Sequence, residues 1–472
     1  MNRNMSLMKN IFKKEHIAWF MPAISLFLFS CSLSEEIHTI NKADTSEDSV
    51  SNNQKPNIIF IVADDMGWRD TGYSGNPVVK TPNLDEMSSV GLKFNNFYSA
   101  HATCSPGRMA ILTGRTPLRA RMVTTVGAMQ AGEVTVAEAL KTVSYDTAHF
   151  GKWGLGRKDT HPLNQGFDEA IWSKGHYNNG MSFFSGFSNR SDFDSSEKDE
   201  RPIKTTGESS VATMELAIEF IQKRSKLKKP FFVQVCFGSP HGPHIAHPKF
   251  KKLYEELSKQ DQNYYGEISG IDAAVGNLRT ELRRLKIEDN TILWFVSDNG
   301  GIREGSGGKL KGKIGVRTLG LLEWPDKITN SMESHIPVSH MDMYPTILDI
   351  TGITMKNQPI VDGISLLPLL NGRMNHRPKP LGFTRGGLSR KDGKFQIGDS
   401  VWIDGSFKLK YRKEQNKKLE SITLFDLTVD PSESVNIVTQ HPERAKEMVK
   451  KMTVWNKSVQ KSFEGEDYFE SK

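Results

Sequence analysis

Residues 104 to 115 place a cysteine at fixed spacing from groups that could make it reactive. They read Cys-Ser-Pro-Gly-Arg-Met-Ala-Ile-Leu-Thr-Gly-Arg. Pro106 suits the first position of a helix and Gly114 suits its end, so we expect a short helix between them. Cys104 would then lie at the positive end of that helix, where an anion is favoured. Arg108, one turn further on, stays charged and can pair with an oxyanion.

Two acidic pairs could bind a metal ion. Asp64 and Asp65 follow one apolar run, and Asp298 and Asn299 follow another. Adjacent carboxylates repel each other unless a positive charge lies between them. Their hard oxygen atoms suit Ca2+, with Mg2+ or Mn2+ as competitors. Either pair alone could be an ordinary acidic turn, but the two pairs together with the cysteine run indicate one metal site.

Four apolar runs rich in β-branched and aromatic residues predict buried parallel strands. They are Asn57–Ala63, Phe231–Phe237, Thr291–Val296 and the weaker Tyr145–Phe150. The run that ends at residue 237 is followed by Gly-Ser-Pro-His241, and the run that ends at residue 150 is followed by Gly-Lys152-Trp. Ligands bind at the carboxyl ends of strands in open α/β sheets. We therefore expect these polar residues to meet at one edge of a sheet.

The segments between these runs have the periodicity of helices, which decides the predicted fold class. Segments 133–141, 209–224 and 264–285 have apolar residues spaced near 3.6. Strands that alternate with helices predict an α/β fold with a large mixed, mostly parallel sheet and helices on both faces.

The pattern changes near residue 375. Segments 401–411 and 421–427 alternate as short strands, and 442–459 is one amphipathic helix. We therefore predict a catalytic domain over 56–374 and a small C-terminal α+β domain over 375–472, with an antiparallel sheet and a closing helix.

The cysteine run resembles the signature of the type I, formylglycine-dependent sulfatases, whose fold is alkaline-phosphatase-like. The resemblance is to arylsulfatase-like members, bacterial polysaccharide sulfatases included, and extends over nearly all of the mature chain. Its further motifs are Lys80–Asp85, Gly151–Trp153, Pro240-His241, Leu322–Pro325, Leu424–Leu427 and Asp430-Pro431.

The resemblance implies a sulfuric ester hydrolase. Cys104 would be oxidised to formylglycine (3-oxoalanine) by a formylglycine-generating enzyme or an anaerobic maturase, and its hydrate would attack sulfur. The family's metal is held by the two acidic pairs together with position 104. By position, Lys152 would bind a sulfate oxygen and His241 would contact the leaving oxygen. Either His241 or Lys313 would protonate the departing alcohol. Arg108 and Lys313 would compensate charge on the sulfuryl group, with Lys309 and Lys311 as alternatives to Lys313.

Two departures from the family pattern affect this assignment. Gly154 stands where the family commonly has a histidine that assists sulfate elimination, so the elimination base is open, with His101 and His149 as the nearest alternatives in sequence. The lysine loop after Asn299 also looks shortened, which leaves its sulfate-contacting lysine open.

The N-terminus predicts export. Residues 1–31 combine early lysines, a short apolar stretch and Ser30-Cys31, which is typical of a signal peptide. Leu28–Cys31 resembles a lipobox with Cys31 as the lipidated residue, although Phe29 leaves ordinary signal cleavage open. Residues 32–55 are polar, as in a flexible tether. We therefore expect a membrane-anchored lipoprotein in the periplasm or on the cell surface (outer membrane).

Charge and composition indicate which classes of substrate and partner the protein would bind. The net charge of +7 and the pI near 9.0 favour polyanions, but no nucleic-acid motif accompanies the basic residues. We expect a sulfated saccharide as substrate, for example an algal polysaccharide such as ulvan, and no nucleic acid. Alternatives are a phosphoesterase or phosphonate hydrolase of the same superfamily, and a non-catalytic lipoprotein that binds sulfated glycans. Sugar identity, sulfate position, exo or endo action and oligomeric state are not readable from the residues.

Overall fold

The apolar runs predicted as strands form the centre of a ten-stranded sheet. The computed structural model describes residues 55–125, 127–173, 182–187, 201–204, 207–301, 316–388, 395–413 and 420–468. Its strands are β1 (Asn57–Ala63), β2 (Leu92–Phe94), β3 (Phe97–Ser99), β4 (Asp146–Lys152), β5 (Glu169–Ser173), β6 (Ser182–Phe187), β7 (Arg201–Lys204), β8 (Phe231–Cys236), β9 (Thr291–Ser297), β10 (Val316–Thr318), β11 (Gly320–Glu323), β12 (Met332–Ser334), β13 (Val338–Ser339), β14 (Leu381–Leu388), β15 (Phe395–Asp404), β16 (Phe407–Lys413) and β17 (Glu420–Asp426).

The large sheet has the order β12-β2-β11-β9-β1-β8-β4-β5-β6-β7. The five neighbouring strands β9, β1, β8, β4 and β5 are parallel, while β11 and β6 join them in antiparallel pairs. The four predicted strands are therefore consecutive neighbours, and their carboxyl ends share one edge.

Helices cover both faces of this sheet, as predicted. They are α1 (Pro82–Val90), α2 (Cys104–Thr113), α3 (Val136–Lys141), α4 (Ser209–Lys226), α5 (Pro248–Lys251), α6 (Lys259–Leu285), α7 (Met343–Thr351), α8 (Leu367–Leu370) and α9 (Pro442–Glu464). Successive side chains of a strand point to opposite faces. Ile58 and Phe60 alternate in this way with Ile59 and Ile61, so the first pair packs on the side of α2, α3 and α7, and the second on the side of α1, α4 and α6.

Element boundaries differ from the predicted ones where local contacts decide them. Helix α2 begins at Cys104, two residues before Pro106, and ends at Gly114 in the left-handed conformation. Helix α3 begins at Val136 rather than at residue 133, because Thr135 and Glu138 form a capping box. Strand β4 runs through to Lys152, which is therefore the last residue of the strand and does not follow it.

The C-terminal segment forms an antiparallel sheet of β14, β15, β16 and β17. The segment predicted as a strand over 401–411 is a hairpin instead, because Gly405 turns the chain at φ +63° between β15 and β16. Met448 and Met452 of α9 pack with Leu409 and Leu424 of the sheet. The predicted boundary at 374/375 falls between α8 and β14. Among the described helices, none has both the length and the apolar composition that a bilayer crossing requires.

Candidate active site at the carboxyl edge of the sheet

The two acidic pairs are brought together by neighbouring parallel strands. Ala63 of β1 pairs with Ser297 of β9, so the residues that follow them leave the sheet side by side. The amide of Asp298 donates to the carbonyl of Ala63 at 3.0 Å, and the amide of Asp65 donates to Asp298 Oδ1 at 3.3 Å. Asp65 has φ +66°, a left-handed conformation that aspartate tolerates better than most residues.

These residues offer a ligand set that fits a divalent cation. Carboxylate oxygens of Asp64 and Asp298 and the sulfur of Cys104 lie within 4.8 Å of one another. Asp64, Asp298 and Asn299 are almost fully buried. Asp64 Oδ1 and Asn299 Oδ1 are buried acceptors without a hydrogen-bond donor in the described part of the chain. Buried acceptors of this kind are costly unless a positive group pairs with them, so the donor set suits a hard cation.

Helix α2 presents Cys104 to this cluster. Thr103 precedes the helix in an extended conformation, and Cys104 is its first residue. Gly107 allows the helix to approach the loop after β9, because a Cβ built on it would lie 2.0 Å from the carbonyl oxygen of Asp298. The structure thus places position 104 beside the acidic pairs, as the sequence predicts.

Arg108 is buried between the carboxylates. Its Nε and Nη2 each lie 2.8 Å from Asp298 Oδ2, and Nη2 lies 3.7 Å from Asp64 Oδ2. Nη1 donates to the carbonyl of Lys152 at 2.9 Å. Burial alone would lower the pKa of Arg108, but Asp298 and Asp64 raise it above its ordinary value. Arg108 therefore stays charged and connects α2 to β4 and β9.

Lys152 Nζ is hydrogen-bonded to Asp64 Oδ2. Burial would lower the pKa of this lysine, but the Asp64 carboxylate shifts it above its usual value, so Lys152 is a cation at neutral pH. The sequence predicted Lys152 as a sulfate ligand and gave no sign of its pairing with Asp64, which depends on the neighbouring positions of β1, β8 and β4.

Cys104 is a poor nucleophile as a thiol. Burial raises its pKa, and the carboxylates of Asp298 and Asp64 raise it further, against smaller opposing effects of Lys152 and Arg108. The thiol therefore stays protonated at neutral pH, whereas attacking cysteines are thiolates. Any nucleophile at position 104 has to come from another chemical form of the residue.

His241 reaches the site from the loop after β8. Its Nε2 lies 3.6 Å from Asp65 Oδ2, and its Nδ1 lies 2.7 Å from the carbonyl oxygen of Gly242. Its side chain is about one-third exposed. It thus lies at the rim of the acidic cluster, where a departing group could be reached.

The alternative histidines are differently placed. His149 is enclosed in the core against Trp153 and Phe167, and burial lowers its pKa to about 3. His101 is also buried, and burial together with the charge of Arg385 lowers its pKa to about 4. Both are therefore neutral and weak bases at neutral pH.

Gly154 lies directly against helix α2. It has φ +73°, and a Cβ built on it would be 3.1 Å from Ser105 Oγ and 4.0 Å from Arg108 Cδ. A side chain at this position would point towards the start of the helix but in a strained backbone conformation. Lys313, with Lys309 and Lys311, lies outside the described residues, as does Cys31.

Comparison with known proteins identifies the family to which the chain is similar. Residues 56–353 match the family model described as Sulfatase. The chain belongs to the sulfatase family. As a family member it is a sulfuric ester hydrolase.

Individual relatives agree with the family match. This sulfatase is 36% identical to human N-acetylgalactosamine-6-sulfatase over 366 residues, covering 69% of this chain and 68% of the relative. It is 30% identical to arylsulfatase G of Canis lupus familiaris over 373 residues, covering 68% of each. The crystal structure of Ps i-CgsB in complex with k-i-k-neocarrahexaose superposes with a TM-score of 0.74 at 26% identity, covering 85% of this chain and 93% of that chain.

Proposed function

We propose that this sulfatase hydrolyses sulfate esters of a sulfated saccharide, with formylglycine at position 104 and a divalent cation in the acidic cluster. Ca2+ is the cation that we propose first. The observation that carries the proposal is the convergence of Cys104, two buried aspartates, Arg108 and Lys152 at one edge of the sheet. Burial and the flanking carboxylates raise the pKa of the Cys104 thiol, so the unmodified residue would be a poor nucleophile. Formylglycine would supply a hydrate with a hydroxyl nucleophile in a position where a thiol is inactive.

Asp64, Asp65, Asp298 and Asn299 would hold the cation together with position 104. The cation would act there as a Lewis acid and offset the negative charge of the site. The orphaned oxygens of Asp64 and Asn299 support this ligand set.

Arg108 and Lys152 would stabilise the sulfuryl group. Both are buried cations that contact the carboxylates flanking position 104. Fixed positive groups in a site that excludes water stabilise charge more strongly than they would in water. A sulfate ester brought to position 104 would therefore have its oxygens next to two charged donors.

His241 would protonate the departing alcohol. Its Nδ1 faces the Gly242 carbonyl at 2.7 Å, which fixes the ring, so the proton would leave from Nε2. Proton transfer to a leaving group requires a donor within hydrogen-bond reach of it. The rim position of His241 suits this role because the departing alcohol has to leave the buried acidic cluster towards solvent.

We propose a sulfated environmental polysaccharide or its oligosaccharides as the substrate, with ulvan as one candidate. The Ps i-CgsB complex with k-i-k-neocarrahexaose and the name of N-acetylgalactosamine-6-sulfatase support a sulfated sugar. The basic net charge of +7 favours such polyanions. The predicted lipid on Cys31 would keep the enzyme at the membrane, where it would meet extracellular glycans.

The test is sulfate release from a panel of sulfated oligosaccharides and from 4-nitrophenyl sulfate, with protein co-expressed with a maturation enzyme. We expect release that is lost on chelation and in Asp298→Asn. Asp272→Asn is the matched control, because Asp272 is a buried carboxylate on α6 that bonds Leu84 and Asn83 and not the site. Undiminished release from metal-free protein would contradict the proposed cation.

A further inference from the structure

A cleft of about 340 Å³ opens beside the cysteine, between the chain that leads into α2 and strand β14 of the C-terminal sheet. Its wall includes Thr103, which immediately precedes Cys104, the nearby His101, and Thr384 and Arg385 of β14. Ligand pockets commonly have volumes of about 300–1,000 Å³, so the cleft is large enough for a small ligand. No residue assigned above to the sulfuryl chemistry lines it.

Packing fixes β14 next to the nucleophile helix. Leu381 and Phe383 of β14 are buried in one cluster with Ala110 of α2. Because Ala110 is in the same short helix as Cys104, the two walls of the cleft are held at a set distance. The next residues of β14 after this cluster are Thr384 and Arg385.

Arg385 lies opposite a bulge in the neighbouring strand β15. Thr384 pairs with Ser400 and Gly386 pairs with Ile397, so one residue of β14 faces two residues of β15. The extra residue of this bulge belongs to β15, and bulges are enriched next to active sites. Arg385 is the residue at the irregularity, and it lines the cleft.

The guanidinium of Arg385 is partly buried and lacks an ion pair in the described part of the chain. Burial lowers its pKa, and the carboxylate of Asp399 offsets this only in part. Its charge reaches His101, whose pKa it helps to lower. A partly desolvated cation without a carboxylate at contact distance favours an anion from outside.

The remaining wall suits a sugar ring. Leu118 and Met122 give an apolar surface, while Thr103 and Thr384 contribute hydroxyl-bearing side chains. A pyranose presents an apolar face of C–H groups and a rim of hydroxyls, which matches this mixture. The positive charge of Arg385 in such a wall favours a saccharide that carries a negative group.

We propose that this cleft binds the sugar next to the scissile ester and that Arg385 pairs with a second anionic group of the saccharide, either a further sulfate or a uronic carboxylate. The inference rests on the proposed function and specifies its substrate as a saccharide that carries at least two negative groups. Arg385 thus determines specificity, while Arg108 and Lys152 serve the sulfate that is removed.

The test measures competitive inhibition of 4-nitrophenyl sulfate hydrolysis, because this small ester has no sugar and no second charge. The inhibitors are galactose 6-sulfate, a disulfated disaccharide, and a disaccharide with one sulfate and one uronic carboxylate. The wild type should prefer at least one dianionic saccharide over galactose 6-sulfate by about 10- to 100-fold, the range of a hydrogen bond to a charged group. Arg385→Gln should abolish this preference and change 4-nitrophenyl sulfate turnover less than about twofold.

Two further variants test whether the preference depends on the guanidinium of Arg385. Arg385→Lys retains the charge without the planar fork and should retain part of the preference. Arg412→Gln is the matched control, because Arg412 belongs to β16 of the same small sheet and is exposed outside the cleft. It should behave as the wild type.

The outcomes separate the possibilities. Loss of preference for only one of the two dianionic saccharides identifies the second group as sulfate or as carboxylate. No preference in the wild type, or equal weakening of all three inhibitors in Arg385→Gln, overturns the inference. Absence of sulfate release from 4-nitrophenyl sulfate and from every oligosaccharide of the panel would instead contradict the proposed function, and calorimetric binding of the same saccharides would still report on the cleft.

Discussion

Removal of Arg108 should destabilise the protein in a way that a divalent cation partly reverses. The side chains of Arg108, Asp64 and Asp298 are at most 1% exposed, and Arg108 is the cation that bonds Asp298. Arg108→Met leaves these carboxylates buried without that partner. Breaking a buried ion pair by removing one member costs about 3–5 kcal/mol, which is a large part of a typical unfolding free energy of about 5–15 kcal/mol.

The effect of Ca2+ on the stability of Arg108→Met distinguishes the loss of this ion pair from a general packing defect. The carboxylates released by Arg108→Met are those that we expect to bind the cation. Unfolding by urea, followed on the unmodified Cys104 form with chelator and then with excess Ca2+, should therefore show a smaller loss in the presence of Ca2+.

Arg377→Met is the matched control. Arg377 makes an equally buried pair with Asp342, with N–O distances of 2.7 and 2.9 Å, outside the proposed metal site. It should lose similar stability without recovery by Ca2+. A loss below about 1 kcal/mol in metal-free Arg108→Met, or equal recovery of both variants, would refute the reasoning.

Three further predictions follow from single residues. Gly154→Ala should lower the free energy of unfolding by about 1–2 kcal/mol, because the residue has a left-handed backbone, and should lower activity, because the new Cβ contacts Ser105. The control Gly75→Ala, at φ +87° in open space, should lose similar stability and retain activity. Equal activities of the two variants would contradict the contact with Ser105. Rapid mixing should show a burst of alcohol stoichiometric with enzyme, because His101 and His149 are buried weak bases that do not replace the missing histidine. Simultaneous release of alcohol and sulfate from the first turnover would instead point to another base. Cys31→Ser should be soluble while the wild type fractionates with membranes, and a wholly soluble wild type would favour ordinary secretion.

The strands and their polar ends could be predicted because the signal is local. Asn57–Ala63 is a continuous apolar run, and its predicted bounds agree with β1. Once four such strands are parallel, the residues after them have to share an edge. The meeting of Asp64, Asp298 and His241 therefore follows from chain order and fold class, whereas Cys104 is brought to them by the packing of α2.

The contacts among these residues could not be predicted in the same way. The bond from Lys152 to Asp64 requires β8 to lie between β1 and β4, which no local pattern specifies. Likewise, Glu133 was assigned to a helix from its spacing, but it forms a buried pair with Arg115 outside α3. Tertiary pairing overrides periodicity at such positions.

Arg385 was missed because its role depends on the sheet register. The only sequence signals are Gly398, at the bulge of β15, and the pair of glycines that follows Arg385, since glycine within a strand often marks a bulge. Those signals give no information on which cleft the bulge borders. The packing of β14 against α2 supplies this information.

Mass spectrometry of the peptide that contains Cys104, taken with activity on the same preparations, tests the central claim most directly. Preparations made with different amounts of maturation enzyme should show specific activity proportional to the fraction of formylglycine at position 104, and Cys104→Ala should be inactive. Full activity in protein whose position 104 is entirely unmodified cysteine would contradict the account.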